Sequence, residues 1–192
     1  YYGAEWAMWL VELFGGLPSL RYIHRAAGYL FALHAVMHLV AFLAGYATRR
    51  MRPSLFPGPQ DLRDAFDTLL YYLGRRAAPP HLPEFDYRQK FEYVGIVLGG
   101  LLMITTGLVL IYPVAVTAWL PGELVPASRV AHSNEALLAM LVLAIWHIYG
   151  SHLNPQIFPG EGTIFTGYIG KRELKERHRL EHDRLFGEGE EL

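Results

Sequence analysis

Cysteine is absent from this 192-residue chain. That excludes disulfides, Cys-ligated zinc, iron–sulfur clusters and covalently attached haem c. Charge is sparse as well: Asp, Glu, Lys and Arg make up 18%, and the formal net charge is −1. No global basic field is available to attract nucleic acid, so no nucleic-acid partner is expected. Internal repeats and low-complexity stretches are also lacking. What remains is about one domain's worth of chain that is 52% hydrophobic and 14% aromatic. Nine histidines are left as its metal-capable side chains of nitrogen type.

The apolar residues are clustered. Ala26 to Thr48 is a run of 23 residues without Asp, Glu, Lys or Arg; Tyr93 to Gly122 is a run of 30, and Ala136 to Gly160 is a third, of 25. At 1.5 Å rise per residue, about 20 residues cross the hydrocarbon layer. The expectation is an all-α integral membrane protein with three membrane helices, roughly 21–46, 91–117 and 130–152. Three buried helices of a soluble bundle are the competing reading, and a 30-residue uncharged run is hard to place in water. Pro113 is expected to kink or end the middle helix.

Lys and Arg give the orientation. Residues 47–90 carry eight of them and the tail after 153 carries six, while the connection 118–131 carries only Arg129. With three spans, 47–90 and the tail share one side, which should be the cytoplasm. The expected organisation is an outer interfacial segment 1–20, a membrane bundle 21–152 with an inner loop 47–90, and a cytoplasmic tail 153–192. Within the loop, Leu62, Phe66, Leu69, Leu70 and Leu73 recur at helical spacing, so an amphipathic helix should lie on the inner surface. The stretch KRELKERHRLEHDRLF reads as a charged, solvated helix with His178 and His182 at i, i+4.

Histidine inside a lipid-spanning helix is costly and usually has a partner and a task. His24 and His38 are 14 residues apart, about 40° short of four whole turns and about 21 Å along the axis. His132 and His147 are 15 apart, about 60° past whole turns and about 22 Å along the axis. First and third helices run parallel across a membrane, so His24 is level with His132 near the outer side and His38 with His147 near the inner side. Two depth-matched pairs of imidazoles are what two bis-His haems b require, His24 and His132 for an outer haem, His38 and His147 for an inner one. His34 sits roughly 40° further round than His38. It joins Gly28 and Gly99 as a candidate to face a macrocycle, although Gly95 and Gly99 equally suit plain helix packing. Glu135, three residues past His132, caps the helix start or relays protons, capping being favoured.

The segments RYIHRAAGYLFALHAVMH, DYRQKFEYVGIVLGGLLMITTGLVL and VAHSNEALLAMLVLAIWHIYGSHLNPQIFPGEGTIFTG resemble the di-haem cytochrome b (gamma) subunit of membrane-bound formate dehydrogenases. They also resemble the wider group that includes the b-type cytochromes of nickel–iron hydrogenases. That resemblance covers about residues 15–182. It implies four membrane helices, the first carrying a haem ligand, so a further helix is expected ahead of Tyr1. By the family pattern, that helix supplies the partner of His147; by spacing, His38 does, as in cytochrome b of the cytochrome bc complexes. The resemblance also implies a quinone site at the inner haem, where Tyr87, Gln89, Lys90 and Tyr93 stand beside Arg88 and Glu92.

These readings converge on a multi-pass subunit of the bacterial inner membrane. It would transfer electrons between an extracytoplasmic iron–sulfur or multihaem cytochrome c partner and the quinone pool, with the primary catalytic site on another chain. Two rivals remain at this level: a haem-free membrane anchor of a periplasmic enzyme, and a proton-conducting membrane protein.

Overall fold

The computed structural model describes residues 4–50, 54–155, 157–160 and 162–187. The first three residues of the expected outer segment, residues 51–53 of the inner loop and the last five of the tail lie outside the described residues. Among those described there are helices and no strand. Three are long and apolar enough to cross a membrane: α2 (Gly16–Ala47), α4 (Tyr87–Ile111) and α6 (Leu124–Leu153). At 1.5 Å per residue, their 32, 25 and 30 residues span about 48, 38 and 45 Å, enough to reach beyond the hydrocarbon into both headgroup layers.

Burial is inverted relative to a water-soluble helical protein. Leu174, in the tail, is the sole buried hydrophobic residue among those described, and the other buried residues are polar: Asp61, Asp64, Thr68, Asp86, Thr106, Ser128 and His182. The apolar windows of α2 and α6 contain no buried residue at all. A chain that is half hydrophobic can afford this only where the surrounding medium is itself apolar. The soluble-bundle reading fails on that observation.

The element ends follow local chemistry. Helix α1 (Glu5–Leu13) is separated from α2 by a turn in which Gly15 and Gly16 adopt φ of 80° and 90°, values that only glycine takes without strain. At its other end α2 closes with paired bonds, Arg50 N–H to the Gly45 carbonyl and Arg49 N–H to the Tyr46 carbonyl, the Schellman pattern. Helix α4 stops at Ile111, six residues short of the expected end. Pro113 has no N–H to continue the ladder and instead opens a short helix, α5 (Pro113–Thr117). Helix α6 begins at Leu124, earlier than the expected 130, because Pro126 falls in its first turn, where no backbone N–H is needed. Past Leu141 it is wound as a π-helix over Val142–His147 and Tyr149–Leu153.

Between α2 and α4 lies α3 (Pro59–Tyr72). Asp61, Asp64 and Thr68 on one face are buried, while Leu62, Phe66, Leu69 and Leu73 on the other are exposed. The amphipathic pattern expected from spacing is present with its polar face inward. The tail departs from expectation. It forms two helices, α8 (Lys171–Arg177) and α9 (Arg179–Phe186), broken at His178, and a short α7 (Thr163–Thr166) precedes them. It is not a solvated rod: His178 Nδ1 lies 2.9 Å from the Pro83 carbonyl, Leu180 N–H reaches the Leu82 carbonyl at 3.3 Å, and His182 is fully buried. The carbonyls of the proline-rich 79–83 segment attract these donors, which spacing alone did not reveal.

The described chain divides into two compact units. One holds α1, α2, α4 from Leu102, α5 and α6 as far as His132. The other holds α3, α4 up to Leu101, α6 from Ser133 and the tail helices.

Candidate functional site

In the first unit, α2 presents His24 and α6 presents His132. Their ring centroids are 6.0 Å apart and their planes are at 89°. His132 is held by the middle helix. Thr106, 7% exposed, donates its hydroxyl proton to the Leu102 carbonyl at 2.6 Å. Its oxygen is therefore free to accept, and it lies 2.9 Å from His132 Nδ1. The Nδ1–H tautomer satisfies this contact and leaves Nε2 as the acceptor nitrogen of the ring. Gly107, next in sequence, lets the imidazole come close: a Cβ there would stand 3.3 Å from His132 Cε1. Further along, the Tyr29 and Tyr112 hydroxyls meet at 2.7 Å. A side chain at Gly28 would meet no atom within 4 Å, so the α2 surface one turn past His24 is flat.

In the second unit the same logic recurs with a different partner. His147, at the end of the first π-wound stretch, places Nδ1 2.7 Å from Glu92 Oε1 of α4. An ionised carboxylate only accepts, and with it the Nδ1–H tautomer satisfies the contact and leaves Nε2 as the acceptor nitrogen. The Glu92 side chain is 14% exposed and that of His147 is 55% exposed. Neither Thr106 nor Glu92 as a histidine partner was anticipated from the sequence. Their spacing of 14 along α4 was the available signal, since it repeats the interval between His24 and His38.

Glu135 is not a cap. It lies eleven residues into α6, against α4, where a Cβ at Gly99 would collide with its carboxylate. Gly99 therefore makes room for Glu135. Gly95 has nothing within 4 Å of a built Cβ. His34 and His38 lie on exposed positions of α2. His152 packs on backbone, 3.0 Å from the position of a Cβ at Gly160. Among the described residues no cluster of three or more His, Asp and Glu is arranged to hold a bare metal ion.

The start of α4 is a tightly built corner. Asp86 accepts the N–H groups of Arg88 and Gln89 at 2.9 and 3.0 Å, and Gln89 Oε1 accepts the Asp86 N–H at 3.0 Å, a reciprocal capping box. Arg88 doubles back onto Asp86 and covers the Tyr87 ring. Lys90 Nζ bonds Asp61 Oδ1 at 2.8 Å, and Asp61 Oδ2 accepts the Gly58 N–H at the start of α3. Tyr93 meets Phe56 edge to face. So Gln89 and Lys90, expected at a quinone, both have structural partners.

Two imidazole nitrogens each about 2 Å from one metal ion place their ring centroids roughly 6 Å apart. The His24–His132 separation fits an iron held between them, and the Thr106 bond supplies the tautomer that an axial ligand needs. Residues 2–158 match the profile of the prokaryotic cytochrome b561 family. The chain belongs to this family. No curated protein and no solved structure shows significant similarity to it. As a cytochrome b561 family member it is a multi-pass membrane protein that binds haem b and serves transmembrane electron transfer.

Proposed function

We propose that this cytochrome b561 family chain is the di-haem membrane subunit of a quinone-linked oxidoreductase complex of the bacterial inner membrane. It is similar in role to the gamma subunits of membrane-bound formate dehydrogenases and the b-type cytochromes of nickel–iron hydrogenases. His24 and His132 supply the axial nitrogens of an outer haem b. His147 supplies one to an inner haem b, and the sequence interval from His24 names His38 as the second. Haem b, when bound, provides reversible one-electron chemistry at its iron. The chain orients the ligands, sheathes them in apolar helix surface and fixes the proton on each α6 imidazole away from the ligating nitrogen. Gly28 keeps the α2 face flat beside His24, and His34 lies along the same helix toward His38.

The extracytoplasmic partner is an iron–sulfur or multihaem cytochrome c subunit that carries or feeds the catalytic centre. The quinone docks at the inner end of α4. Tyr87 and Tyr93 offer hydroxyls there, while Gln89 and Lys90 hold the corner in shape through Asp86 and Asp61.

One observation carries the reading: both α6 histidines have Nδ1 within hydrogen-bond distance of an oxygen on α4, an arrangement in which Nε2 is the nitrogen left for iron. The test is a pyridine haemochrome assay on the purified chain with His24→Ala and His147→Ala variants. Two haems b per chain, with one lost in each variant, is the expected result. One haem would move the second ligand set to another subunit, and none would restore the anchor or proton-conductor reading.

A further inference from the structure

The two α6 histidines have partners of different charge. His132 is held by a hydroxyl that has given its own proton to Leu102, a neutral acceptor. His147 is held by a carboxylate, Glu92, at 2.7 Å, closer than the 2.9 Å of the Thr106 contact. Glu92 is six residues into a membrane-spanning helix and largely shielded, a costly place for a charge that serves only solubility. It lies apart from the Asp61–Lys90 and Asp86–Arg88 pairs that build the start of α4.

We propose that Glu92 is a positioning residue that fixes the tautomer of His147 and raises its electron density, so that a haem on His147 favours the ferric state more than it would with a neutral partner. A negative acceptor pulls the Nδ1 proton toward itself and makes Nε2 a stronger donor to iron. A stronger donor stabilises the higher oxidation state, so the midpoint potential falls. Thr106 exerts no such pull on His132. Helix α4, which carries no histidine, thereby gives unequal support to the two haem sites. The inference rests on the assignment of His147 as an axial ligand.

The experiment is a spectroelectrochemical titration of the full chain in lipid nanodiscs. Glu92→Gln keeps an oxygen that accepts from Nδ1 but removes the charge. Both haems should remain, and one of the two midpoints should rise while the other stays. Outer partners of metal ligands typically matter at the tenfold level or more, and tenfold in a one-electron equilibrium is about 59 mV. Glu92→Asp should return that midpoint toward the parental value. Both midpoints unchanged in Glu92→Gln overturns the proposal. If Gln loses that haem, retention at the parental midpoint in Glu92→Asp supports it, and loss or an equal shift in Asp overturns it. His147→Ala separates the two levels: retention of both haems there overturns the ligand assignment itself, whereas loss of one haem with an inert Glu92→Gln overturns only the role of Glu92.

Discussion

Thr106→Val is the sharpest perturbation of the outer site. Valine matches threonine in shape and keeps the methyl, so the buried helix surface is retained and only the hydroxyl goes. The Leu102 carbonyl loses a second donor, a minor change inside a helix. His132 loses its side-chain partner on α4, at an ordinary 2.9 Å bond. An unsatisfied, partly buried donor costs about 1–3 kcal/mol. The ring escapes that cost by moving its proton to Nε2 or rotating toward the membrane, and either escape withdraws the ligand. The expected result is a 10–100-fold loss in haem affinity at one site, equivalent to about 1.4–2.8 kcal/mol. The two estimates overlap, as they should if the hydrogen bond is what holds the ligand. The assay is haem transfer from the purified membrane protein to a soluble scavenger, followed in the visible region, with Thr106→Ser as the control that keeps the hydroxyl. One slow and one accelerated phase are expected for Val and two slow phases for Ser. Parental kinetics and an unchanged spectrum in Val would refute the reasoning, because His132 would then need no partner to act as a ligand.

Gly107→Ala places a methyl 3.3 Å from His132 Cε1, so the ring must give by a few tenths of an ångström; a changed ligand-field signature of one haem in electron paramagnetic resonance, with both haems retained, checks it. Lys90→Met leaves the largely buried Asp61 carboxylate without its cation. Breaking one side of such a pair costs about 3–5 kcal/mol; a lowered Tm in detergent, mostly recovered on adding Asp61→Asn, is the outcome expected. In the tail, the Asp183 carboxyl is held below its ordinary range, first by the His182 hydrogen bond and then by Arg179. A depressed carboxylate stabilises the fold above its unfolded value and loses that contribution as pH falls through the folded one. The protection of α9 amides, normalised to the intrinsic exchange rate, should therefore lose the Asp183 contribution only below about pH 4, and Asp183→Asn should abolish that acid-dependent step.

The spans were legible because lipid solubility is a property of composition: 23, 30 and 25 uncharged residues leave little choice. The His24–His132 pair was legible because depth follows from position in a span and parallel helices share depth. Other features depended on contacts that spacing does not carry. The tail seemed solvated by its charge pattern, yet the backbone carbonyls of Leu82 and Pro83 recruit it. Glu135 seemed a cap because the helix was expected to begin at 130; with Pro126 inside the first turn the helix starts sooner and the carboxylate falls mid-span, on Gly99. Gln89 and Lys90 read as quinone donors by residue type; the capping box and the ion pair that they make rest on Asp86 and Asp61, partners that spacing alone does not assign.

The intervals on the three spans close the argument for α4 as the helix that tunes the ligands. On α2 the histidines are 14 residues apart, and on α4 the two acceptors, Glu92 and Thr106, are also 14 apart. On α6 the interval is 15, which in a regular α-helix would swing His147 about 60° past the direction of His132. The π-wound stretch Val142–His147 lies inside that interval. A π turn closes its hydrogen bond one residue later than an α turn, so it absorbs one residue. Within the second unit the π-wound stretch thus sets the direction in which His147 leaves α6, and that direction is the one that meets Glu92. The winding is π on either side of Ile148, so the histidine that meets Glu92 stands in irregular helix, whereas the one that meets Thr106 stands in regular α-helix.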